Sequence, residues 1–150
     1  MLRDDINNAL KEAMKARNER AVSTLRLVNA AFKNADIEAR GAGKTIGDAD
    51  LLAVLQKMIK QRQESAELYD KGNRPELAMQ EREEIAIIQS YLPKQMSDDD
   101  VKAAIEAAVK ETGAAGMKDM GKVIGALKAK FTGQMDFAKA SGLVKARLTG

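Results

Sequence analysis

The sequence predicts an all-α protein, with an N-terminal helical domain of about four helices followed by a small C-terminal three-helix domain. Three observations carry this expectation. Apolar residues recur at i, i+3 and i+4, and no segment alternates in the manner of a strand. Only five of the 150 residues are aromatic, so the interior must be built from Leu, Ile, Val, Ala and Met. Ala, Lys, Glu, Leu and Arg dominate the remainder, as they do in helical proteins. A chain of this length buries roughly 68–70% of its unfolded surface, enough for a core without metals or disulfides.

Leu2, Ile6, Leu10, Ala13 and Met14 mark the first helix, which breaks near Arg17-Asn18-Glu19. Val22, Leu25, Val28, Phe32 and Ile37 mark the second, which stops at Gly41-Ala42-Gly43. A long third helix shows one apolar face in Leu51, Leu52, Leu55, Met58, Ile59, Ala66 and Tyr69. Asp36 with Arg40, and Glu67 with Lys71, are acid-before-base pairs suited to exposed helix faces. Gly72-Asn73-Arg74 is a turn, and Pro75 stands at the first position of a fourth helix running to about Tyr91, with Leu77, Ile85, Ile88 and Tyr91 inward.

Pro93 ends that pattern. Ser97 then caps a fifth helix whose opening acids, Asp98, Asp99 and Asp100, suit the positive end of the helix dipole. The boundary therefore falls at residues 92–97, giving domains 1–92 and 97–150. Val101, Ile105, Ala108 and Val109 mark the fifth helix, ended at Thr112-Gly113. Met117, Met120, Val123, Ile124 and Leu127 mark the sixth, and Phe137, Ala140, Val144 and Leu148 the seventh.

The composition removes whole classes of chemistry. There is no Cys and no His, so thiol nucleophiles, imidazole bases, His-ligated zinc and disulfides are excluded. Gly43-Lys44-Thr45 ends like a phosphate-binding loop, but that loop needs a glycine where Glu38 stands and a strand where this chain has a helix; a helix C-cap is the better reading. The carboxylates of Asp98, Asp99 and Asp100 diverge around a helix and do not converge on one ion. Ser23, Ser65, Ser90, Ser97 and Ser141 are scattered, and none sits in a shell fit for a Ser–Lys amidase. Glu81, Glu83 and Glu84 read as a solvated face. Gly121 and Gly125, one turn apart, read as a place where a neighbouring helix packs closely. No catalytic residues, metal ligands or cofactor site are expected.

Charge is distributed unevenly. Residues 1–93 hold 15 basic and 15 acidic residues, whereas residues 94–150 hold 10 and 7. Within 117–150 the basic residues are Lys118, Lys122 and Lys128 on the sixth helix, Lys130 in the loop after it, and Lys139, Lys145 and Arg147 on the seventh, against Asp119 and Asp136 alone. Such a tail suits neutralisation of nucleic-acid phosphates, and it equally suits an ordinary solvated helix surface; composition does not separate the two. The N-terminal stretch lacks the apolar run of a signal peptide and no stretch of 18 apolar residues occurs, so a soluble, cytoplasmic protein with no membrane association is expected.

Several blocks, in order, carry a family resemblance: Ser23-Thr-Leu-Arg-Leu-Val-Asn-Ala-Ala-Phe-Lys-Asn-Ala-Asp-Ile37, Val54-Leu-Gln-Lys-Met-Ile-Lys-Gln-Arg62, Tyr91-Leu-Pro-Lys-Gln95, Lys118-Asp-Met-Gly-Lys-Val-Ile-Gly-Ala-Leu127 and Leu143-Val-Lys-Ala-Arg-Leu148. Over essentially its whole length the chain resembles the GatB/YqeY family. The resemblance implies a three-helix C-terminal domain similar to the tail of GatB, the component of glutamine-dependent tRNA amidotransferases whose tail grips tRNA while catalysis resides elsewhere. It implies a tRNA-binding accessory module, with tRNA or another structured RNA and a protein of tRNA amidation as partners. It also carries a label of carbon–nitrogen ligase with glutamine as amide donor, although no self-contained catalytic site is visible. A protein-interaction module without nucleic acid is the alternative. Many family tails have Asp-Gly before the last helix, where this chain has Asp136-Phe137.

Overall fold

The computed structural model describes residues 1–149. Among them are seven α-helices and no strand: α1 Leu2–Lys15, α2 Glu19–Gly41, α3 Asp48–Lys71, α4 Pro75–Gln89, α5 Asp98–Thr112, α6 Met120–Phe131 and α7 Phe137–Thr149. A single 3-10 turn, Met117–Asp119, leads into α6. The chain divides into two compact units, Met1–Leu92 and Pro93–Gly150.

In the first unit α3 and α4 form a hairpin, and α2 packs on α1, α3 and α4. Ile6, Leu25, Val28, Phe32, Leu51, Leu55 and Ile88 are buried at its centre. Each such side chain removed from water stabilises the fold by roughly 1.5–3 kcal/mol. Polar contacts fasten the rim. Arg3 donates to both Asp36 oxygens at 2.6 and 3.0 Å, and its guanidinium lies 5.9 Å from the centre of the Phe32 ring. The Leu2 amide donates to Asp48 at the start of α3, 3.3 Å away.

Turn chemistry sets the helix ends. The Lys44 amide reaches back to the Ala39 carbonyl at 2.7 Å and that of Gly43 to Arg40 at 3.1 Å, with Gly43 left-handed at φ 70. This Schellman arrangement accounts for Gly43-Lys44 as a helix stop. The same pair of bonds follows α3, where Asn73 takes the left-handed place at φ 57 before Pro75 opens α4.

In the second unit α5, α6 and α7 enclose Ile105, Val109, Val123, Leu127, Ala140 and Val144. The Ser97 side chain accepts from the Asp100 amide at 3.1 Å, capping α5. Gly113, at φ 67, ends that helix. Met135, in the loop before α7, is buried in this core although no periodicity marks it. Asp136 accepts from the Ala138 amide at 2.9 Å, while Phe137 packs partly against the core.

Several sequence expectations are corrected, among them the place of Lys118, which stands in the 3-10 turn before α6 and not on that helix. Met14 and Ile37 are exposed at 51% and 56%, because their helices turn them away from the core. Asp36 pairs with Arg3 on α1, where Arg40 was expected. Glu84 is buried, not solvated, because α4 turns it toward Arg62 on α3. Lys130 lies in the last turn of α6, which runs to Phe131, and not in a loop. Gly121 and Gly125 admit no neighbouring helix: a Cβ placed at either would meet nothing within 4 Å.

Candidate nucleic-acid interface

The seven cations singled out in the sequence divide into two sets. Lys130 Nζ donates to Glu111 Oε2 at 2.7 Å, Lys139 Nζ to Asp98 Oδ1 at 3.2 Å, and Arg147 Nε to Glu106 Oε1. All three acids stand on α5, outside the segment in which the basic excess was counted. Exposed pairs of this kind add only about 0.2–1 kcal/mol each to stability, but they cancel charge where α5 meets its neighbours.

The second set keeps its charge toward solvent. Lys122 Nζ is 3.8 Å from Asp119 with its side chain 70% exposed, a loose contact. Lys118 feels the same carboxylate. Lys128 and Lys145 are exposed and have no ion-pair partner among the described residues. At about 100° per residue, Gly121 and Gly125 lie on the outward face of α6 between Lys122 and Lys128, opposite the buried Val123 and Leu127. The result is a helix face with basic flanks and a side-chain-free strip between them.

Asp119 positions this face. Its carboxylate accepts from the Ala115 amide at 3.0 Å, tying the loop after α5 to the start of α6. That bond holds its pKa below the ordinary aspartate range, against the opposing effect of burial and helped by the charges of Lys122 and Lys118.

The first unit holds a different cluster, which the sequence did not reveal. Arg62 Nε donates to Glu84 Oε2 at 3.1 Å, Arg20 Nη1 lies 3.9 Å from Glu84 Oε1, and Arg20 Nε donates to Glu83 at 3.2 Å. Burial, and then the charge of Glu84, push the Glu81 carboxyl up. The only sequence signal was an arginine facing a run of acids across a helical hairpin. Among the described residues no group of three or more acidic side chains is placed to hold a metal ion, and no helix is long and apolar enough to cross a membrane.

A helical chain of two units, the second with a basic surface, defines the class of protein. The model of the Yqey-like protein family matches residues 3–148, and the chain belongs to that family. Altered inheritance of mitochondria protein 41, mitochondrial, from Vanderwaltozyma polyspora is 35% identical over 83 residues, covering 55% of this chain and 44% of the relative. Its counterpart from Lachancea thermotolerans is 35% identical over 88 residues, 59% of this chain and 46% of the relative. That from Pyrenophora tritici-repentis is 28% identical over 127 residues, 81% and 68%. The chain spans about half the length of the first two.

These relatives correct the expectation of a cytoplasmic protein, because they are named as mitochondrial. The lack of an apolar run is a test for secretory export alone. Mitochondrial targeting uses amphipathic, Arg-rich segments, to which that test is blind.

Proposed function

We propose that the chain is an RNA-binding accessory module whose second unit contacts the phosphates of tRNA or another structured RNA. The observation that carries this reading is the second set of cations. After α5 has paired off Lys130, Lys139 and Arg147, the charges of Lys118, Lys122, Lys128 and Lys145 remain directed to solvent. The resemblance to the tail of GatB supports the same assignment. In this reading Lys130, Lys139 and Arg147 hold α6 and α7 against α5, and the other four position phosphates without reading bases. Any carbon–nitrogen ligase step with glutamine as amide donor belongs to a partner protein of tRNA amidation, to which this chain contributes RNA.

The test is a fluorescence-anisotropy titration of labelled tRNA at increasing salt. Two to four phosphate contacts give a log–log slope of about −2 to −3.5. Charge reversal at Lys128 and Lys145 should abolish most of the affinity, whereas Lys130→Gln and Arg147→Gln should change it little. Absence of salt-sensitive binding below roughly tens of micromolar, where even non-specific association is expected, overturns the reading.

A further inference from the structure

The outward face of α2 is the strongest feature that the RNA reading leaves unused. It belongs to the first unit, whose basic and acidic residues are equal in number, so net charge conceals it. Leu27, Asn34 and Gly41 recur every seven residues, as do Ser23, Ala30 and Ile37, and the two series interleave at spacings of four and three. All six are exposed, and they lie on the side of α2 opposite the buried Leu25, Val28 and Phe32. At this a/d spacing Leu27, Ala30 and Ile37 supply apolar side chains, while Ser23, Asn34 and Gly41 are small or polar, so the face is a short seam that is half apolar.

A third series flanks the seam at the adjoining g position: Arg26, Lys33 and Arg40, all exposed. Their rungs are about 10 Å apart along the helix axis. None has an ion-pair partner among the described residues. The row on the other flank is Thr24, Ala31 and Glu38, of which Thr24 is buried and Ala31 half-buried in the chain's own core. A docked helix must therefore lean toward the cationic side.

We infer that this face of α2 docks an amphipathic helix of another protein, one that carries acidic residues along the edge of its apolar seam. Charge selects that occupant. A second copy of α2 set antiparallel would place Arg26, Lys33 and Arg40 against their own equivalents. Set parallel, it would offer Ala31 to Arg26 and leave Lys33 with Glu38 as the one complementary pair in each direction. RNA would satisfy the cations but gains nothing from Leu27, 47% exposed, and Ile37, 56% exposed, between them. The seam is short enough that the drift between 3.6 and 3.5 residues per turn does not carry it off the face. The inference concerns the first unit, and stands or falls separately from RNA binding by the second.

The test uses two labelled peptides of about four heptads with Leu and Ile on the seam, one with Glu and one with Lys in both flanking rows. Like charges on both flanks keep each peptide from pairing with itself. The full chain should bind the Glu peptide, with amide shifts centred on Leu27, Ala30, Asn34 and Ile37, and should ignore the Lys peptide. The R26E/K33E/R40E variant, with its helical circular dichroism unchanged, should lose about tenfold or more for the Glu peptide and gain the Lys peptide. Failure of the wild-type chain to bind the Glu peptide overturns the inference, as does binding that is indifferent to the charge reversal. So does a concentration-dependent dimer that Ile37→Asp dissolves. Loss of tRNA affinity in R26E/K33E/R40E, with neither peptide bound, would reassign the face to nucleic acid.

Discussion

Arg62 Nε lies 3.1 Å from Glu84 Oε2, and the two side chains are only 14% and 10% exposed. The pair crosses the α3–α4 hairpin and is more sheltered than the Arg3–Asp36, Arg20–Glu83 and Arg82–Asp70 pairs of the same unit. Arg62 also donates to the Met58 carbonyl of its own helix at 3.3 Å, while Glu84 has Arg20 at 3.9 Å. Each charge was taken from water and is compensated chiefly by the other. Removing one is therefore costlier than removing both.

Arg62→Met should destabilise the first unit by about 3 kcal/mol, and R62M/E84L should restore most of that loss. The control is the Asp70–Arg82 pair of the same hairpin, whose side chains are 47% and 53% exposed. There Arg82→Ala should cost far less than Arg62→Met, because solvent screens the exposed pair. Urea denaturation followed by circular dichroism reads all three. Equal costs for R62M and Arg82→Ala would show that the sheltered pair has no special role.

That pair also marks where the sequence ceased to be informative. The helices were legible because apolar spacing, Pro75, Ser97 and Gly113 each act locally, over a turn or less. The burial of Glu84 was not, because Glu81, Glu83 and Glu84 carry the same charge and only the packing of α4 on α3 chooses one of them. Ile37 was misplaced for a related reason: five residues beyond Phe32 it has rotated about 140° around the helix. The candidate interface was half legible. Its seven cations can be counted along the chain, but the division between paired and solvent-facing ones depends on Asp98, Glu106 and Glu111 of α5, and that pairing spans 19 to 41 residues.

Asp119 gives the second unit a predictable pH dependence. Its folded pKa lies below the ordinary 3.8, first because of the Ala115 amide. A carboxyl depressed in the fold stabilises it fully above the unfolded value, and that contribution disappears as pH falls through the lower folded value. Asp119→Asn keeps an acceptor for the amide and removes the charge. Wild type should therefore be the more stable at neutral pH, and the two should converge in strong acid. Asp119→Ala, which removes the acceptor too, should be the less stable of the two variants at neutral pH, because the Ala115 amide then loses its partner. Melting of the second unit followed through the amide resonances of α6 measures this, and a wild-type advantage that persists unchanged into strong acid would contradict it.

The glycines of the second unit should separate stability from binding. Gly125 and Gly142 lie inside α6 and α7, and a Cβ at either meets nothing within 4 Å. Each should therefore gain about 0.5–1 kcal/mol on replacement by Ala, since glycine is a poor helix former and nothing in the fold requires it there. Gly113 is the contrast, because its φ of 67 is left-handed. Gly113→Ala should lose about 1–2 kcal/mol. The same substitutions probe the interface. If an RNA backbone lies against α6 between Lys122 and Lys128, the added methyl of Gly125→Ala obstructs it while Gly142→Ala, on α7, leaves that strip open. The expected result is a raised melting temperature for both variants with tRNA affinity reduced several-fold only in Gly125→Ala. Unchanged affinity in Gly125→Ala would remove the glycine strip from the interface and leave the lysines to act from the flanks alone.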